Sequence, residues 1–235
     1  MKILILVLSS VREPWGALMA AQQETWDAVE HQQTQTLYYC AHNKSGPVRP
    51  DVRYSTMDDW LEHVSPRTIE AFEWALESEW DYLCRPNSSC YVHKAGLVKF
   101  CETLPATGVL RGGMTGGDDP FLWGGCQYIM SRDVIERMVE TKARWRHDLM
   151  DDQSITKSAQ ALGIDLHQGP MACAIDAHDD GSYTCVVYGP GETFKFTDFA
   201  EVPQRVPEHF MFRVKQDLRR HLDIEMMRKL KQHLP

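Results

Sequence analysis

The chain has 235 residues, 43% of them hydrophobic, which is enough for one α/β domain with a sizeable core and too few for two. Its formal net charge of −8 excludes the broad basic surface that holds nucleic-acid backbones, so no nucleic-acid partner is expected. The charge is uneven: from Arg205 onward eight Lys/Arg stand against four Asp/Glu, which makes the last segment net positive and leaves −12 for the rest.

Ile3 to Leu8 is a continuous aliphatic run. It is shorter than a membrane span by about threefold and has no small-residue cleavage site, so it reads as a buried strand rather than a signal peptide. Ser9-Ser10-Val11-Arg12 follows as a polar turn, and a helical pattern runs from Trp15 to about Glu30. Thr36 to Ala41 predicts a second strand, and Asn43-Lys44-Ser45-Gly46-Pro47 predicts a loop. Ser65-Pro66 predicts a helix start, with Ser as N-cap, Pro at the first helical position, and Ile69, Phe72, Leu76 and Trp80 recurring on one face. That helix leads into Tyr82-Leu83-Cys84, a third strand, which stops at the polar cluster Arg85-Pro86-Asn87-Ser88-Ser89.

A helix around Ala95 to Leu104 and a strand at Gly108-Val109-Leu110 come next, then a glycine-rich passage from Gly112 to Pro120 that includes Asp118-Asp119. Phe121 to Met130 is apolar and interrupted by Gly124-Gly125; Ser131 then caps a helix carrying Ile135, Met138 and Val139. Asp151-Asp152 precede a helix with Ile155, Ala159 and Leu162 inward, and Asp180-Gly181 marks a hairpin. From Val214 the four-residue spacing of Leu218, Leu222, Met226, Leu230 and Leu234 predicts one long amphipathic C-terminal helix. Strands alternating with helices, followed by a mixed region, predict an α/β sandwich around a mostly parallel sheet. Seven cysteines without metal-type spacing sit mostly inside apolar runs, as buried thiols do in a reducing compartment. A soluble, cytoplasmic protein with no integral membrane segment is expected.

In such a sheet the ligand sits beyond the carboxyl ends of the strands. Three loops qualify: Ser9 to Arg12, Arg85 to Ser89, and the glycine passage before Phe121. Arg85-Pro86-Asn87-Ser88-Ser89 reads either as a plain turn or, because it ends a central strand, as a place where Arg85, Asn87 and Ser89 face the cleft. Gly124-Gly125 marks a bulge or a ligand's close approach. Of Asp151 and Asp152 one suffices to cap the helix, which leaves the other for the cleft as a base. The histidines have no metal-ligand spacing, and Asp118-Asp119 reads as a loop acid pair or a ligand for a cation.

Taken in order, these marks resemble the fringe and β-1,3-galactosyltransferase-like glycosyltransferases of GT-A fold, in particular their small soluble bacterial and viral members. Gln23-Glu24-Thr25-Trp26 is similar to that family's Arg-x-Thr-Trp, and Trp80 to Arg85 to the strand before its Asp-x-Asp cluster. The stretch Gly124 to Ser131 resembles the acceptor-side strand, and Asp151-Asp152-Gln153-Ser154-Ile155 resembles the Glu-Asp-Val motif. Phe212-Arg213-Val214-Lys215 with Arg219-Arg220 is similar to the closing basic segment. The resemblance spans residues 3 to about 230.

It implies one GT-A domain over 1–235, a three-layer α/β/α sandwich with a nucleotide-sugar half of about 1–115 and an acceptor half of about 116–235. It implies an inverting transfer from a nucleotide-diphosphate sugar, UDP preferred, to an acceptor hydroxyl on a glycan. Asp152, with Asp151 close behind, would be the base; Ser9, Ser10, Arg12, Arg85, Asn87, Ser88, Ser89, Arg213 and Lys215 would hold the donor; Trp123, Gly124 and Gly125 would face the acceptor. The departure lies where the family's metal-binding acids stand: this chain has Asn87-Ser88-Ser89, neutral groups that make Asn87 and Ser89 weak ligands for Mn²⁺ or Mg²⁺. No organic cofactor is expected. Two rivals remain open at this stage: a carbohydrate- or nucleotide-binding domain that has lost catalysis, and a two-metal phosphohydrolase built on Asp118, Asp119, Asp151 and Asp152.

Overall fold

The computed structural model describes residues 1–41, 51–114, 121–123, 127–169, 172–187, 192–216 and 219–234. The opening aliphatic run forms β1 (Ile3–Ser9), followed by α1 (Trp15–Glu24), β2 (Thr34–Cys40) and β3 (Val52–Tyr54). After a 3₁₀ turn at Leu61–His63 come α2 (Val64–Ala75), β4 (Tyr82–Pro86), β5 (Cys90–Val92), α3 (Lys94–Cys101) and β6 (Leu110–Gly112). The second half adds β7 (Gln127–Ser131), α4 (Arg132–Glu140), α5 (Asp151–Ala161), β8 (His167–Gln168), β9 (Ala172–Ala177) and β10 (Tyr183–Val187). It closes with β11 (Thr193–Phe196), α6 (Glu201–Arg205), β12 (Met211–Arg213) and α7 (Arg220–His233).

Among the described residues, seven strands form a central sheet in the order β3-β2-β1-β4-β7-β6-β8. β7 runs antiparallel to both its neighbours and every other pairing is parallel, so the sheet is mostly parallel, as the strand–helix alternation predicts. β1 lies inside it, and its side chains alternate between two cores. Ile3, Ile5 and Val7 pack with Leu18 and Met19 of α1, Leu97 of α3 and Met226, Met227 and Leu230 of α7, while Leu4 and Leu6 pack with Phe72 of α2, Val134 of α4 and Ile155 of α5. A strand covered on both faces needs an unbroken apolar run, which is why β1 reads Ile-Leu-Ile-Leu-Val-Leu.

A second sheet, β11-β10-β9-β12-β5, shares the core that contains α1, α3 and α7. The sequence pattern does not separate this sheet from the first. β5, which follows β4 of the central sheet along the chain, and its partner β12 are three residues each, and β9 and β12 pair in parallel across about forty residues of chain.

Several boundaries differ from the sequence expectation for local reasons. α2 starts at Val64, and Ser65 is not its cap but a buried junction: its hydroxyl meets Ser154 Oγ at 2.7 Å and accepts the Trp145 indole N–H at 2.8 Å. β4 continues through Arg85 and Pro86, because both pair with β7. α7 begins at Arg220 rather than Val214, since Met211–Arg213 is taken up by the second sheet and Gln216 is tied down by hydrogen bonds to it. Asn43 to Pro47, Asp118-Asp119, Gly124-Gly125, Cys126 and Leu218 lie outside the described residues. The six cysteines that are described are all buried, and burial raises Cys84 well above the usual thiol range and pushes Cys90 up to about 11 and Cys101 up to about 12. Among the described residues no helix is long and apolar enough to cross a membrane.

Candidate active site at the strand switch point

β1, β2 and β3 step outward in one direction, and α2 then carries the chain back to β4 on the other side of β1. The order therefore reverses between β1 and β4, and that is where a crevice opens beyond the strands' carboxyl ends. A cavity of about 520 Å³ lies there.

β1 delivers Ser9 and Ser10 to it. Their loop is held against the start of α1: Ser10 Oγ accepts the Arg12 N–H at 3.0 Å, and the Gly16 N–H donates to Arg12 O at 2.8 Å. A Cβ on Gly16 would stand 2.8 Å from Val11 O, so only glycine lets loop and helix approach so closely. Trp15, the first residue of that helix, lines the cavity, whereas Arg12 is exposed and does not.

β4 delivers Arg85 and, just after it, Asn87 and Ser88. Their turn is fastened from below by α1. Gln22 Nε2 donates to Asn87 O at 3.3 Å and to Cys90 O at 3.1 Å, and Trp26 Nε1 also donates to Cys90 O, at 3.2 Å. The Gln23-Glu24-Thr25-Trp26 stretch thus contributes an anchor for the turn rather than a ligand contact. Ser89 is fully buried and does not line the cavity; its hydroxyl donates to Asn87 Oδ1 at 3.4 Å and its carbonyl accepts the Val214 N–H at 2.9 Å. That bond extends the β5–β12 pairing and sets Arg213 beside the turn. Arg213 lines the cavity, its guanidinium 4.8 Å from the Trp123 ring; Lys215, two residues on, is exposed and does not line it.

α5 supplies the acids. Met150, not an aspartate, is its N-cap, so Asp151 and Asp152 occupy the first helical turn, where the helix dipole favours negative charge. Both line the cavity. Asp151 is 5% exposed and pairs with the Arg85 guanidinium, which is itself 5% exposed. Burial works against the charge on Arg85, but Asp151, Tyr128 and Asp152 outweigh it and hold its pKa above the usual arginine value. Asp152 is only half-buried, and its Oδ1 accepts the Gln153 N–H at 2.8 Å. The start of α5 is fixed on both sides: through Ser154 to Ser65 of α2, and through Thr156 Oγ1, which accepts the Leu122 N–H at 3.0 Å and so places Trp123.

The cavity also holds residues that the sequence reading passes over: Asp59, Trp60, Leu61, Val64, Arg67 and Met150. Arg67 left a trace. It falls on the α2 stripe that continues through Ala71 and Ala75, where a charge is out of place unless paired, and it pairs with Asp59 at 3.3 Å. Burial lowers the Arg67 pKa and Asp59 opposes that shift. Asp59, Trp60 and Leu61 carry no periodic signal, being in a loop and a single 3₁₀ turn.

A divalent cation needs several hard oxygen ligands, usually carboxylates. At the end of β4 the nearest candidate, Asn87 Oδ1, already accepts from Ser88 Oγ, Ser89 N and Ser89 Oγ at 3.3, 3.3 and 3.4 Å. Asp59 and Asp151 are each engaged by an arginine, and no three His, Cys, Asp or Glu side chains converge among the described residues. The described residues at this place do not fit a divalent cation, and Asp151 and Asp152 have no third carboxylate, His or Cys converging with them among the described residues.

No protein-family model and no curated protein matches the chain. Among solved structures it is similar to a glycosyltransferase involved in the glycosylation of the major capsid of PBCV-1, with a TM-score of 0.54 at 12% identity over 97% of this chain and 100% of that one. A mannosyltransferase, PcManGT from Pyrobaculum calidifontis in complex with GDP-Man and Mn²⁺, aligns with a TM-score of 0.47 at 12% identity over 72% of this chain and 55% of its own. The capsid enzyme and this chain share a fold: a mixed α/β architecture around a mostly parallel central sheet.

Proposed function

We propose that the chain is a glycosyltransferase of GT-A type, resembling the small bacterial or viral fringe-like enzymes. It moves a sugar from a nucleotide diphosphate, UDP preferred, to a hydroxyl of a glycan or glycoconjugate, with inversion. The observation that carries this reading is the meeting, in one cavity at the strand switch point, of two serines, two arginines and an aspartate pair drawn from β1, β4, β12 and α5. The fold likeness supports it, though a fold by itself specifies no chemistry. On this reading residues up to about 115 form the donor half and the remainder the acceptor half, with Arg213 reaching back across, and the protein works in the cytoplasm.

Ser9 and Ser10 hold the nucleoside, and Asn87 and Ser88 offer the sugar a neutral hydrogen-bonding shelf. As the acceptor oxygen bonds to the anomeric carbon, the bond from that carbon to the diphosphate oxygen breaks and the electron pair leaves with the diphosphate. The acceptor's proton passes to Asp152. The growing negative charge meets Arg85 and Arg213, whose buried Nε–H groups each have no hydrogen-bond partner among the described residues. Asp151 keeps Arg85 in place.

A thermal-shift and turnover screen of nucleotide sugars tests this, because a ligand of the folded state raises apparent stability by mass action. A UDP-sugar is expected to raise the melting temperature and to be slowly hydrolysed, equally in EDTA and in Mn²⁺. Activity abolished by EDTA and restored by Mn²⁺ would contradict the arginine assignment; a larger shift with GDP-sugars would correct the base. Binding with neither hydrolysis nor transfer would favour a non-catalytic sugar-nucleotide binder, and no shift with any donor would overturn both.

A further inference from the structure

Four large hydrophobic side chains are exposed among the described residues, and three share one place. Trp60, Leu61 and Met150 are 58%, 70% and 40% exposed, and all three line the cavity; the fourth, Met1, lies at the opposite end of β1. Apolar surface left in water forgoes the stabilisation of burial, and three such side chains side by side need a structure that holds them out.

The local structure does. Trp60 O accepts the His63 N–H at 3.0 Å, His63 Nδ1 lies 3.2 Å from Asp58 O, and Asp59 is tied to Arg67. Upstream, Thr56 Oγ1 donates to Glu70 Oε1 at 3.0 Å and Ser55 Oγ donates to Glu70 Oε2. Across the gap, Met150 O accepts the Ser154 N–H and Ser154 Oγ–H, both at 2.9 Å. The Ser65–Ser154 hydrogen bond joins the two sides. The result is a fixed apolar ledge, continuous with the cavity and two residues from Asp152. Asp59 is engaged by Arg67, and the carbonyls of Asp58, Trp60 and Met150 are engaged by His63 and Ser154, so the ledge leaves few of these groups for the hydroxyls of a sugar. A broad indole, a branched aliphatic and an adaptable thioether instead suit a hydrocarbon.

We propose that this ledge binds an apolar portion of the acceptor: the acceptor is an amphiphile, a glycoside whose hydrocarbon lies on Trp60, Leu61 and Met150 while its hydroxyl reaches Asp152. The placement of the hydroxyl rests on the transferase reading; the ledge does not. An anionic bilayer is disfavoured as occupant because Asp58, Asp59 and Glu62 flank the ledge. Three side chains are also far short of the roughly 800 Å² per partner that a stable dimer buries.

Calorimetric titration of the intact protein with matched n-octyl and methyl β-glucosides and β-galactosides, the octyl compounds kept below micelle-forming concentration, decides the matter without any donor. The octyl member of at least one pair is expected to bind at least tenfold more tightly, and Leu61→Ser and Trp60→Ala are each expected to bring that ratio near one. Absence of an octyl preference in the wild type, or a ratio that both variants leave intact, overturns the proposal. So does wild-type flotation with phosphatidylcholine/phosphatidylglycerol vesicles, or a wild-type dimer, that the variants lose. Melting-temperature shifts with nucleotide sugars on the same proteins separate the two claims: their absence removes the transferase reading and leaves the octyl comparison to judge the ledge.

Discussion

At Asp151 the carboxylate is buried against the Arg85 guanidinium, while Asp152 next to it keeps part of its surface in the cavity. Two adjacent acids thus have different surroundings, and under the proposed function their variants should fail differently. Asp152→Asn is expected to lower the transfer rate by about 10²–10⁴ with the melting temperature nearly unchanged, as for loss of a general base. Asp151→Asn leaves Arg85 buried without its counter-charge and should cost about 3–5 kcal/mol in chemical denaturation. Equal stability of the two variants would show that Asp151 is not the counter-ion. The aspartate pair and Arg85 were legible because charged residues at a helix start and at a strand end stand out from their neighbours. Lys215 and Ser89 do not line the cavity because Lys215 lies beyond β12 and the Ser89 carbonyl is taken up by the β5–β12 pairing, and neither placement has a signature in composition. Trp60 was invisible for a plainer reason: an exposed tryptophan in a loop looks in sequence like any other.

α7 reaches the site through buried contacts, among them Arg220 over the ring of Trp15 at 4.7 Å and a clasp around Asp223. Asp223, fully buried, accepts the Gln216 N–H at 2.7 Å and pairs with Arg220 at 2.8 Å, and Gln216 bonds in turn to Ile175 O and the Ala177 N–H of β9. This clasp fixes the segment that follows Arg213. Burial raises the Asp223 carboxyl to about 6, against the pull of Arg220 and the Gln216 N–H. The unfolded carboxyl ionises near 3.8, so between about 4 and 6 this carboxyl binds more protons in the folded protein than in the unfolded chain, and its contribution to stability falls as pH rises through that window. Urea denaturation at pH 4, 5, 6 and 7 should record the fall, and Asp223→Asn should flatten it; a variant with the wild-type slope would assign the proton elsewhere. None of this was readable from the tail's four-residue leucine spacing, which marks Met226 and Leu230 of the buried face of α7 and says nothing of where the helix begins.

The whole molecule is two cores back to back through one sheet, and β1 serves both. Ile5→Ala and Leu6→Ala remove fully buried side chains from opposite faces, and each is expected to cost about 2–5 kcal/mol within a single denaturation transition. Two separable transitions would mean that the second sheet unfolds by itself. The parallel half of the fold was legible because strands covered on both faces write long aliphatic runs into the sequence. The second sheet was not, since its pairings join short strands far apart along the chain, and long-range register leaves little local trace.

The chain leaves the first sheet at Pro86 and enters the second at Cys90, so the turn that faces the cavity is also the only covalent step between β4 and β5. Adding or removing one residue there would slip β5 against β12 and turn the buried Tyr91 to the other face. A substitution at 87 or 88 leaves that register in place, at the cost of the hydrogen bonds that Asn87 Oδ1 accepts from Ser88 and Ser89. Variation at this turn is therefore confined to identity and barred from length, so the groups it offers to the cavity can change by substitution while the spacing stays as it is.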